Sequence, residues 1–94
     1  MFVSKMLFEI KLNDAFSLKD RRKVERSIKE KLKNRFNISI VIQHEDYPMN
    51  LFTINIVQIN ENVNELKKVY ENMLELILDD YEIELLKHEF DILD

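Results

Sequence analysis

The chain contains no cysteine, no glycine and a single proline among its 94 residues. Without cysteine there is no disulfide, no thiolate nucleophile and no zinc–thiolate site, and nothing in the composition marks an oxidising compartment. Without glycine, a loop that wraps a phosphate lacks the residue that takes φ > 0 freely and lets backbone approach the ligand with no Cβ in the way. Walker loops, dinucleotide fingerprints and glycine-built anion cradles are therefore argued against. No run reaches the ~20 apolar residues needed to span a bilayer, and the opening segment MFVSKMLFEIKLND has no basic region leading into a long apolar one. A cytoplasmic location is expected.

What is present suits an ordinary globule. Hydrophobic residues make up 46% and charged residues 34%, enough Ile, Leu, Val and Phe to offset the entropy of ordering the chain. The length predicts one domain, residues 1–94, with a radius of gyration of roughly 12 Å. The net charge of −4 hides a division: residues 1–43 carry eleven Lys/Arg against five Asp/Glu, and residues 44–94 carry three against thirteen. Such asymmetry points to an interaction surface, or to neighbouring elements that attract one another across the fold.

Residues 2–12 alternate, with Phe2, Met6, Phe8, Ile10 and Leu12 on one side, the period of a strand with one face in a core. Ser17 then has the character of a helix N-cap, and Asp20 three positions on completes a capping box. The pattern predicts a helix over residues 18–35 with an apolar stripe of Leu18, Val24, Ile28 and Leu32, closed by Asn34 or Asn37 in the left-handed conformation. FNISIVIQ alternates again as a second strand from Phe36. HEDYPMN has the composition of a turn, and LFTINIVQI forms a third strand with Phe52, Ile54 and Ile56 inward. Asn62 with Glu65 opens a second helix whose apolar arc runs from Val63 through Leu66, Val69, Tyr70 and Met73 to Ile77. The last segment changes phase between Leu85 and Leu86, which predicts a strand carrying a bulge.

This order, βαββαβ, predicts an α+β ferredoxin-like fold: a four-stranded antiparallel sheet with two helices on one face. The expected core includes Phe8, Ile10, Ile28, Leu32, Ile38, Ile40, Ile54, Ile56, Val69 and Met73. Val3, Leu7, Ser39, Val41, Thr53, Asn55, Val57 and Ile59 fall on the open face, a mixture more apolar than water alone requires.

SLKDRR entering a basic helix and RFNISI entering strand two resemble the YlxP-like family of small bacterial proteins (domain of unknown function 503). By position Ser17, Leu18, Lys19 and Arg22 match the first motif and Arg35, Phe36, Asn37 and Ser39 the second, with Arg21 where a lysine is usual. Beyond Asp46 the pattern departs: Tyr47, Pro48 and Met49 stand where the family tends to a Trp-Gln pair, and no glycine follows. The resemblance implies a ferredoxin-like fold, no established catalytic activity, and a genomic setting beside translation-initiation and ribosome-maturation factors.

Placed at 100° intervals, Lys19, Arg22, Lys23, Arg26, Lys29 and Lys33 fall within an arc of about 120° opposite the apolar stripe, interrupted by Glu30. This ridge is the candidate nucleic-acid-binding surface, suited to phosphates of structured RNA or the ribosome. The competing reading is a solvated face, its charges met by water and by pairs such as Glu25 with Lys29 and Arg22 with Glu25 or Glu30. Stacking of single-stranded RNA on the sheet is not expected, because Phe8 and Phe52 take the core phase. His44, Glu45 and Asp46 are better read as a polar turn than as metal ligands, His88 as a packed or surface histidine, and Ser17 as a cap rather than a nucleophile. No catalytic residue, metal, cofactor or small-molecule substrate is expected. The alternative to an RNA-associated accessory factor is a homodimeric interaction or structural module, associating through the open sheet face or the last strand.

Overall fold

A computed structural model describes residues 1–13, 17–44 and 48–93. The elements follow in the order β1 (Phe2–Leu12), α1 (Leu18–Arg35), β2 (Ser39–Gln43), β3 (Leu51–Asn60), α2 (Val63–Asp80) and β4 (Ile83–Leu93). The four strands form one antiparallel sheet in the order β2-β3-β1-β4, which is the ferredoxin-like α+β fold. The period-two residues of β1 and β3 carry the core: Met6, Phe8, Ile10 and Leu12 are buried opposite Phe52, Ile54 and Ile56. Ile28 and Leu32 of α1, and Met73, Leu76 and Ile77 of α2, enter the same cluster, so both helices cover one face of the sheet. Ile40, on β2, completes it, while Ile38 and Val69 pack against it half-buried.

Each boundary has a local cause. Ser17 is the α1 N-cap: its Oγ accepts from the Asp20 amide at 3.1 Å, while the Asp20 carboxylate accepts from the Ser17 hydroxyl at 2.9 Å rather than from its backbone N–H, so the cap forms without the return arm of the expected box. The Asn62 side chain caps α2 by accepting from the Asn64 amide. The end of α1 differs from the expected left-handed asparagine. Asn34 lies within the last turn, and the chain leaves the helix at Phe36, whose backbone is extended (φ −129°, ψ 144°) and whose N–H still bonds the Leu32 carbonyl. Packing of the Phe36 ring on the core sets the exit direction, and β2 pairing starts at Ser39 rather than Phe36. The register of β4 against β1 shifts between Glu9 and Ile10, which puts the bulge at Leu86. The radius of gyration is 13.4 Å and the long dimension 42 Å, more extended than length alone suggests. The ten- and eleven-residue strands account for this, since eleven residues at ~3.3 Å each reach about 36 Å.

The opposite sheet face carries no helix. Val41, Val57 and Ile59 are 60%, 43% and 55% exposed there, and Val3 and Leu7 are half-buried.

Candidate nucleic-acid interface

The phase of α1 is fixed from its cap and its buried side. Arg21, Glu25, Ile28 and Leu32 are buried, and the fully buried Arg21 is the largest such side chain. Its Nε lies 3.1 Å from Glu25 Oε2, and its Nη1 lies 3.5 Å from the Met49 carbonyl oxygen. The second Glu25 oxygen meets His44 Nδ1 at 2.8 Å. A buried charge persists only with partners, and this chain of contacts joins α1 to the end of β2 and to the residues leading into β3. The expected pairings of Glu25 with Lys29 or Arg22 are therefore corrected: both carboxylate oxygens are engaged by Arg21 and His44.

With that face inward, the opposite arc points to water. Lys19, Arg22, Lys23, Arg26, Lys29 and Lys33 are all exposed, and none forms a salt bridge with another described residue. They lie along an 18-residue helix about 27 Å long. The flanks of α1 are different in kind. On one side Ser27 shares a 2.7 Å hydrogen bond with the Tyr81 hydroxyl, and Lys31 reaches Asp80 at 3.4 Å and sits over the Tyr81 ring. On the other side Glu25, Arg26 and Lys29 border Ile40, Val41 and Ile42 of β2.

The charge division along the chain becomes a division in space. The basic helix lies over the β2 edge, whereas Glu84, Glu89 and Asp91 lie on β4, the opposite edge, and Asp79 and Asp80 end α2. Among the described residues, Lys31 with Asp80 is the one Lys/Arg to Asp/Glu pair that joins the basic half to the acidic half, and both side chains are more than a third exposed. Exposed pairs of this kind contribute about 0–1 kcal/mol. Attraction between the halves is too slight to account for the asymmetry.

The remaining candidates fall elsewhere. Phe8 and Phe52 are buried under the helices, so the open face of β1 and β3 offers no ring for a base to stack on. His44 is taken by Glu25; Glu45 and Asp46 lie outside the described residues. No group of His, Asp or Glu capable of holding a metal occurs among the described residues. His88 is exposed on β4 and hydrogen-bonds the Tyr70 hydroxyl, whose ring stacks on Phe8 and Phe90. Burial pushes the Tyr70 phenol above its ordinary value. No helix among the described residues is long and apolar enough to cross a membrane.

Arg21 and Glu25 are the residues that residue-type reasoning overlooks. A signal for them exists: at 100° per residue Arg21 lies about 20° from both Ile28 and Leu32, in the middle of the stripe.

The family model described as "Protein of unknown function (DUF503)" matches residues 3–90. No curated protein matches the sequence. Among solved structures, the structural-genomics protein YJCS superposes with a TM-score of 0.67 at 8% identity, covering 98% of this chain and 99% of that one. SnoaB, a cofactor-independent oxygenase from Streptomyces nogalater, gives 0.57 at 7% identity, covering 98% of this chain and 91% of that one. The de novo designed protein Ferredog-Diesel gives 0.52 at 16% identity, covering 93% and 83%. At these identities the likeness is one of fold, and a fold shared by an oxygenase and a designed protein assigns no activity.

Proposed function

The chain belongs to the DUF503 family of proteins of unknown function, and on that footing we propose that it is a non-enzymatic cytoplasmic accessory factor whose α1 ridge contacts phosphates of structured RNA or the ribosome. One observation carries the reading: six exposed Lys and Arg side chains on one helix face, none of them paired with a described residue. Six cations in an arc of about 120° make a local field far stronger than an isolated pair, and it sits on a chain whose net charge is −4. The only carboxylate inside the arc is Glu30, since Glu25 turns inward to Arg21 and His44. Arg22, Arg26 and Lys33 contribute little to packing, so reversing all three to Glu keeps the fold and removes the contact. Ribosome co-sedimentation of this triple variant is expected to fall to background at low salt. Co-sedimentation equal to wild type returns the ridge to a solvated helix face.

A second reading has its own observation. Val41, Val57 and Ile59 leave an apolar patch on the helix-free sheet face, suited to a homodimer packed face to face; extension through the last strand is disfavoured by the charges and register shift of β4. Light scattering at high micromolar concentration is expected to report a dimer that Val57→Lys dissociates. A wild-type monomer at that concentration removes this reading.

A further inference from the structure

The two edges of the sheet are protected unequally. β4 carries Glu84, Lys87, Glu89 and Asp91 and a register shift against β1, the charges and irregularity that keep an edge from recruiting another strand. β2 reads Ser39-Ile40-Val41-Ile42-Gln43, with no charge, no proline and an unbroken register against β3. As the terminal strand it leaves alternate backbone N–H and C=O groups directed away from the sheet. α1 lies above this edge, and Arg26 and Lys29 with Ile40, Val41 and Ile42 line a groove along it. Glu25 also borders the groove, but its oxygens are held by Arg21 and His44, which leaves the lining positive.

We propose that the β2 edge takes an extended segment of a partner protein as a fifth strand, and that this segment is acidic at alternate positions with apolar residues between. A strand added beyond β2 directs every second side chain toward α1 and the others toward the open face beside Val41. Same-side residues of a strand repeat every ~6.7 Å. Arg26 and Lys29, the two cations of the groove, succeed one another along the helix axis at about 4.5 Å, close enough for consecutive Asp or Glu side chains to meet consecutive cations. The apolar positions then continue the patch formed by Val41 and Val57.

A second copy fits this edge poorly. Pairing β2 with β2 about a two-fold axis brings Arg26 and Lys29 of both copies into one seam, where like charges repel. Pairing β2 with the β4 of another copy is head-to-tail, does not close on itself, and engages the charged, bulged edge. RNA offers no main-chain ladder for the strand. The inference shares Arg26 and Lys29 with the ridge of the RNA reading, and pairing of the β2 backbone is what separates the two.

The test is amide NMR of the labelled protein titrated with three synthetic peptides: a Val-Glu alternating peptide, the same composition with the glutamates grouped, and a Val-Lys alternating peptide. With the first, shift changes and slowed amide exchange are expected over residues 39–43, and the exposed-site variant Arg26→Glu/Lys29→Glu is expected to lower its affinity at least tenfold with its spectrum otherwise retained. The grouped peptide is expected to bind more weakly and the Val-Lys peptide not at all. Overturning results are no response at residues 39–43 up to millimolar Val-Glu peptide, equal binding of the grouped peptide, or an unaffected variant. Concentration-dependent pairing of β2 without peptide overturns it in favour of a second copy. Protection of the same amides by a short RNA hairpin overturns it in favour of nucleic acid.

Discussion

Arg21 and Glu25 form a buried ion pair one helical turn apart, Nε to Oε2 at 3.1 Å, and Glu25 passes the contact on to His44 at 2.8 Å. Removing one member of such a pair leaves a charge uncompensated in the core, at a cost of about 3–5 kcal/mol, whereas replacing both with apolar groups of similar volume is often neutral. Arg21→Met or Glu25→Leu alone is expected to destabilise by that amount in urea unfolding, and the double variant to recover most of the loss. Additive losses in the double variant contradict the pair as a unit.

The sheet divides residues three positions apart into opposite fates. Ile54 is wholly buried, and Val57 is 43% exposed on the other face. Ile54→Ala is expected to cost ~2–5 kcal/mol, the range for a large buried aliphatic side chain cut to alanine. Val57→Ala is expected to stay within about 0.5 kcal/mol, as surface changes do. Denaturant midpoints that rank the two in reverse contradict the register of β3.

Tyr70 gives a pH signature. Burial raises its phenol above the ordinary value of 10.0, so the neutral form is favoured in the folded state. That contribution to stability is whole below the ordinary value and is lost as pH rises through the higher native one. A late component of tyrosinate formation, above the ordinary value, is expected from Tyr70. Tyr70→Phe is expected to remove that late component and to flatten the alkaline loss of stability. A late component that survives the substitution assigns the shift to another tyrosine.

Much of this architecture is legible because its signals are local and strong. The alternation of residues 2–12, the Ser17–Asp20 cap and the phase change at Leu86 each follow from one backbone period or one hydrogen bond. Phe8 and Phe52 point inward because they share a face with Met6, Ile10, Ile54 and Ile56, and that phase also removes the stacking platform from the open sheet. Arg21 is harder to read. Its angular position lies in the stripe, but arginine is seldom fully buried, and what holds it there comes from Glu25 beside it and from the Met49 carbonyl 28 residues away. The helix exit at Phe36 is likewise set by a ring packing on a core assembled from distant parts of the chain. The exposure of the ridge follows directly from the helix phase; its partner does not.

Binding of a structured RNA, measured across a range of salt concentrations, tests the central claim most directly. If all six ridge cations neutralise phosphates, log K falls linearly with log[salt] at a slope between about −4 and −5.5, and reversal of Arg22, Arg26 and Lys33 to Glu abolishes binding or at least halves that slope. A flat salt dependence, or a slope and affinity unchanged in the triple variant, contradicts the ridge as the binding surface.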